Sequence, residues 1–146
     1  GKSSVENGLE EDIKENFKSY NVGFHRHQPE IKDFLKTEFN LDHEIIFIPH
    51  LLPLFRGEYV TLYCEVSQND LDLNELYESY YEKHKLVRVK EKGEIAEIKE
   101  VINTFYCDIS VSYAFQSNTI VVNSAIDNLL KGAASQAIQC LDIMSS

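Results

Sequence analysis

Two imidazoles, a guanidinium and a carboxylate stand together in the run His25-Arg26-His27-Gln28-Pro29-Glu30-Ile31. A fold rarely needs such a cluster to hold itself together. Imidazole changes charge near neutral pH, and guanidinium binds carboxylate or phosphate as a planar fork. The run therefore offers a proton carrier and an anion binder side by side. On an extended segment His25 and His27 would point the same way. Three uses are open to them. They could share a metal ion with His50 or Glu30, although the spacing specifies no third ligand. They could cap the helix that follows and stay solvated. They could do acid–base work.

Two further segments carry possible chemistry. His50 and Arg56 stand towards the two ends of Pro49-His50-Leu51-Leu52-Pro53-Leu54-Phe55-Arg56-Gly57. On composition alone this is an ordinary rigid connection with a solvated arginine. Gly57 behind Arg56 adds that the backbone can approach a ligand closely. The second segment, Gly132-Ala133-Ala134-Ser135, leaves one turn nearly without side chains. It reads either as tight helix packing or as a place where a flat cofactor or a second domain approaches.

Other routes to function are closed. Cys64, Cys107 and Cys140 are odd in number and widely spaced, which suits a reducing compartment and gives no CxxC zinc pair. None follows a turn into a helix N-terminus, where a thiolate would be stabilised. The six glycines are too scattered for a GxGxxG dinucleotide loop. A net charge of −10 argues against nucleic acid or an anionic membrane as partner. No apolar run approaches the roughly 20 residues of a membrane span, and no secretory pattern opens the chain.

The elements that must position these residues follow from periodicity. With 146 residues, 43% of them hydrophobic, the chain can form one domain with a proper core. Leu9, Ile13, Phe17 and Tyr20 recur at helical spacing up to Asn21-Val22-Gly23. Pro29 suits the first helical position of a second helix, whose apolar residues Ile31, Phe34, Leu35 and Phe39 run to about Asn40. Glu44 to Ile48 reads as a buried central strand. Glu58 to Val66 alternates, with Val60, Leu62, Cys64 and Val66 on one side and Tyr59, Thr61, Tyr63 and Glu65 on a wetter one. A helix from about Leu71 to His84, a strand at Leu86 to Lys90 and a short helix within Ile95 to Val101 come next. Tyr106 to Phe115 and Thr119 to Val122 form a hairpin around Gln116-Ser117-Asn118. The last helix runs from about Ser124 to Met144. The pattern is α+β: a mixed, mainly antiparallel sheet with helices on one face.

Taken in order, three segments resemble one family. They are His25 to Ile31, Ile48 to Gly57, and Ser124-Ala125-Ile126-Asp127-Asn128-Leu129-Leu130-Lys131-Gly132-Ala133-Ala134-Ser135-Gln136-Ala137. Together with Tyr106-Cys107-Asp108-Ile109 they are similar to the C-terminal half of N-acetyl-γ-glutamyl-phosphate reductases of arginine biosynthesis. The last segment is shared with aspartate-semialdehyde dehydrogenases and marks only the superfamily. The resemblance implies a fold like the C-terminal domain of glyceraldehyde-3-phosphate dehydrogenase. It implies one substrate-binding and dimerisation domain over 1–146, without the NADP-binding domain or the nucleophilic cysteine. The activity implied is NADPH-dependent reduction of an acyl phosphate to a semialdehyde in the cytoplasm, with the isolated domain inactive alone. His25, or else His27, would be catalytic. Arg26, His50 and Arg56 would meet the substrate, and Asn128 and Gly132 the cofactor. A homodimer through the sheet is expected, with Tyr59, Tyr63 and Tyr77 as interface aromatics. The rivals are a non-catalytic anion-binding or oligomerisation module and an aspartate-semialdehyde dehydrogenase-like domain.

Overall fold

The structure, a computed structural model, describes residues 15–67, 70–115 and 117–145. The chain divides into two compact units, residues 1–54 and 55–146.

In the first unit, β1 (Lys18–Ser19) pairs antiparallel with β2 (His50–Leu51), Lys18 opposite Leu51 and Ser19 opposite His50. Between them lies helix α1 (His27–Phe39). It begins two residues ahead of Pro29, so the proline occupies the first turn, where a missing N–H still breaks no helical bond. Asn40 closes the helix at φ 55°, a left-handed cap that asparagine tolerates, and the backbone N–H groups of Asn40 and Leu41 return to Lys36 and Leu35. Two expectations differ here. The helical pattern of Leu9 to Tyr20 falls partly outside the described residues, and its end, Lys18–Ser19, is extended. Glu44 to Ile48 forms no strand, and Ile46 is 86% exposed. A strand needs a neighbour to complete its hydrogen bonds. Among the described residues of this unit, the pairing falls beyond the run, at His50–Leu51 against Lys18–Ser19.

The second unit is built on a four-stranded sheet in the order β3-β6-β5-β4. Its strands are β3 (Glu58–Glu65), β4 (Val87–Val89), β5 (Cys107–Tyr113) and β6 (Thr119–Ile126). β6 pairs antiparallel with β3 and β5, while β4 joins β5 in parallel, so the sheet is mixed and mainly antiparallel. Helix α2 (Leu73–Tyr81) starts at Asp72, whose carboxylate accepts the backbone N–H groups of Asn74 and Glu75. Burial, with smaller contributions from neighbouring groups that include Cys64 and Cys107, raises the phenol pKa values of Tyr77 and Tyr81. A single turn, α3 (Ile98–Val101), follows β4. Val101 and Ala96 cluster with Ala125 of β6, and the Ala96 N–H donates to Ser110 Oγ on the same sheet face.

β3 has the expected alternation, but among the described residues it is an edge strand. Val60, Leu62 and Tyr63 all remain at least 47% exposed, so neither of its faces is closed. At the other end, Ser124 to Ile126 belongs to β6 rather than to the last helix. Register explains this: those three residues pair with both Glu58–Val60 and Cys107–Ile109. The helical stretch begins only at Leu130, as a π-turn over Leu130–Ala134, and continues as α4 (Ser135–Ser145).

Candidate functional site

The His-Arg-His run sits at the entry to α1. His25 precedes the helix, Arg26 is its N-cap residue and His27 its first residue. His25 is half-buried, whereas Arg26 and His27 are exposed. The His25 Nδ1 accepts the backbone N–H of His27 at 3.2 Å. Its ring packs edge-on to Tyr20 (5.6 Å between centroids) and to His27 (4.6 Å), and tilted against Phe47 (5.1 Å). Phe47, within the run expected as a strand, thus serves as a wall for both imidazoles, since it also meets His27 at 5.8 Å. His50 stacks on Phe17 with 5.0 Å between ring centroids. The rings of His25, His27 and His50 are therefore oriented by aromatic contacts and remain at least partly open to solvent. Among the described residues, no three His, Cys, Asp or Glu side chains gather as metal ligands.

The second unit holds a different arrangement, centred on Asp127, which the sequence reading passed over in favour of its neighbour Asn128. Asp127 has no exposed surface. Its Oδ1 accepts the N–H groups of Leu129 (2.9 Å) and Leu130 (3.0 Å). Its Oδ2 accepts the Asn103 N–H (2.8 Å) and a hydrogen bond from Arg56 Nη1 (3.2 Å). Arg56 Nη1 also donates to Asn103 Oδ1 at 2.7 Å, and Asn103 holds a left-handed φ of 60°. Burial alone would push the Asp127 carboxyl up. The three backbone donors and the Arg56 charge outweigh it and hold the group below the usual carboxylate range. Next to this hub, Asn128 Oδ1 accepts the Gly57 N–H at 2.8 Å. Gly57 has φ 117°, and a Cβ there would collide with Ile98 Cγ2. Glycine is thus required both by conformation and by space. The signal that could have found Asp127 is the Asp-Asn pair just before an apolar helical run, a capping pattern.

Gly132 lies inside the π-turn, where its N–H donates to the Asp127 carbonyl (3.0 Å) and the Ala134 N–H to the Leu129 carbonyl (3.2 Å). A methyl group on Gly132 would lie 3.3 Å from Ile126 Cδ1, which is tight packing. Gly132, Ala133 and Ala134 are nevertheless exposed, so the turn also presents a bare surface. π-turns inside helices often mark functional positions. A cleft of about 410 Å³ in the same unit is lined by Arg88, Val89, Lys90, Glu91, Glu94 and Glu100 and includes none of the candidate residues. Its cations are engaged: Arg88 grips the buried Asp108 with two bonds (2.6 and 2.8 Å), and Lys90 pairs with Glu100 (2.8 Å).

His25, Arg26, His27 and His50 thus occupy one unit, and Arg56, Asn128 and Gly132 the other. The structure brings His25 against His27, and Arg56, Gly57 and Asn128 around Asp127, while His50 stacks on Phe17.

Comparison with known proteins gives these arrangements a context. The chain is 38% identical over 147 residues to the N-acetyl-gamma-glutamyl-phosphate reductase of Thermoanaerobacter sp. (strain X514), a match covering 99% of the chain and 42% of that protein. It is 43% identical over 133 residues to the enzyme of the same name from Clostridium botulinum (strain Eklund 17B / Type B), covering 89% and 38%. The chain thus spans about two fifths of the length of these relatives. Its fold is similar to part of the aspartate semialdehyde dehydrogenase from Francisella tularensis, with a TM-score of 0.67 and 15% identity over 90% of this chain and 40% of that one. The aspartate semialdehyde dehydrogenase II from Vibrio cholerae gives a TM-score of 0.65. The model of the family described as semialdehyde dehydrogenase, dimerisation domain, matches residues 1–128, and the chain belongs to that family.

Proposed function

We propose that residues 1–146 form the substrate-binding and dimerisation domain of an N-acetyl-γ-glutamyl-phosphate reductase. The complete enzyme would reduce N-acetyl-γ-glutamyl phosphate to the semialdehyde in arginine biosynthesis, in the cytoplasm. A cysteine thiolate from a part of the enzyme outside these residues attacks the acyl carbon and phosphate departs, which leaves a thioester. NADP, when bound in its reduced form, supplies the hydride that reduces that thioester. The exposed, nearly bare turn at Gly132 fits the approach of a flat ring, and Asn128 stands beside it in sequence with its Oδ1 engaged by Gly57. These two residues would flank the nicotinamide.

His25 is the histidine that serves the thiol, with His27 as second choice. Arg26 and His50 meet the phosphate or carboxylate of the substrate. The dimer forms through the sheet, where Tyr59 and Tyr63 of β3 stand 39% and 69% exposed. The observation that carries the reading is the state of His25. Its ring is oriented by Tyr20, His27 and Phe47, yet the residue stays partly open to solvent, with an exposed guanidinium next to it in the chain.

The test is His25→Asn in the complete enzyme. Loss of a positioned acid–base group should lower kcat by roughly 10²–10⁴-fold. Turnover within a factor of two of the parent would remove His25 from the mechanism.

A further inference from the structure

We infer that His25 is held as its Nε2–H tautomer by the backbone N–H of His27, and so faces its reaction partner as a hydrogen-bond donor. Only the identity of that partner rests on the function proposed above; the tautomer itself rests on geometry.

A neutral imidazole carries a proton on one nitrogen and a lone pair on the other. The first N–H groups of a helix have no intrahelical acceptor. In α1 the N-cap residue Arg26 gives no side-chain bond, and His25 Nδ1 takes the His27 N–H instead, at 3.2 Å. A main-chain amide cannot become an acceptor. Nδ1 must therefore keep its lone pair, and the proton lies on Nε2. Turning the ring over would break the bond and disturb its contacts with Tyr20, His27 and Phe47.

The usual histidine base has the opposite arrangement. There a carboxylate or carbonyl accepts from Nδ1–H and leaves Nε2 free to take a proton. Here an amide donor replaces that acceptor. The neutral His25 ring offers Nε2–H outward, which suits an electron-rich atom such as a sulfur anion or the oxygen of a tetrahedral adduct. His27 is then a positioning residue, and it acts through its main chain rather than its ring.

Nitrogen NMR on the uniformly ¹⁵N-labelled chain, at a pH where its imidazoles are neutral, reads the tautomer directly. His25 should show one fully protonated Nε2 and one fully unprotonated Nδ1. The exposed His43 should show the averaged signals of a free ring. His27→Ala keeps the amide and should leave the His25 pattern in place. Amide exchange gives the second readout. His25→Ala should speed exchange of the His27 N–H by about fivefold, the effect of one ordinary hydrogen bond. His25→Asn, whose Oδ1 stands where Nδ1 did, should restore the slow rate. An averaged or Nδ1-protonated His25, or a His27 exchange rate left unchanged by His25→Ala, would overturn the inference. Neither readout requires substrate or turnover. Failure here is thus separate from failure of the catalytic assignment, which His25→Asn tests in the complete enzyme.

Discussion

Among the described residues of the first unit, no side chain is fully buried, and every candidate group there is open to water at least in part. The second unit encloses Asp108 and Asp127 completely, and each is answered by an arginine, Arg88 and Arg56. The contrast separates two uses of charge. A buried carboxylate must have its partners supplied by the fold, because desolvation is otherwise prohibitive. An exposed imidazole or guanidinium needs none and remains available to something outside the chain. On this basis the second unit pairs its buried charges internally, while the first leaves His25, Arg26 and His27 at least partly open to solvent at a helix entry.

The largest expected effect lies in the second unit. Asp127→Ala orphans three backbone donors and leaves Arg56 without its carboxylate, so unfolding by urea should show a loss of about 3 kcal/mol. A loss below the effect of a surface substitution would break the contrast drawn between the two units. A smaller effect should appear in acid. The Asp127 carboxyl titrates lower in the fold than in the unfolded chain. Its stabilisation is therefore complete above the unfolded value and disappears as pH falls through the folded one. Stability curves against pH should show this acid limb in the parent and a flatter one in Asp127→Asn. The smallest effect belongs to the first unit. Arg26→Ala removes an exposed side chain that makes no cap bond, and should change stability by no more than about 0.5 kcal/mol. A larger loss would mean that Arg26 has a structural duty.

How much of this was legible in the sequence depends on whether the signal was local. The hairpin of β5 and β6, helix α2 and the end of α1 near Asn40 follow from alternation, capping and helical periodicity, all short-range. Glu44 to Ile48 was misread because an apolar run states a preference for burial but not the presence of a partner strand. Ser124 to Ile126 was misread because its apolar spacing also fits a helix, and cross-strand pairing with two neighbours decided otherwise. The candidate site shows the same division. The His-Arg-His run stands out by composition. Asp127 does not, because its importance comes from Arg56 and Asn103, 71 and 24 residues away. Side-chain type told what chemistry was on offer, and only the folded neighbourhood told which charges were already spoken for.

The eight-residue β3 has consequences for handling the protein. As an outermost strand it can template the addition of further chains, the first step towards fibrous deposits. Glu58 and Glu65 at its two ends act as electrostatic fenders against such stacking, aided by mutual repulsion between molecules that each carry −10. Concentrated salt weakens both defences, so storage in dilute buffer should keep preparations clear for longer than storage in brine.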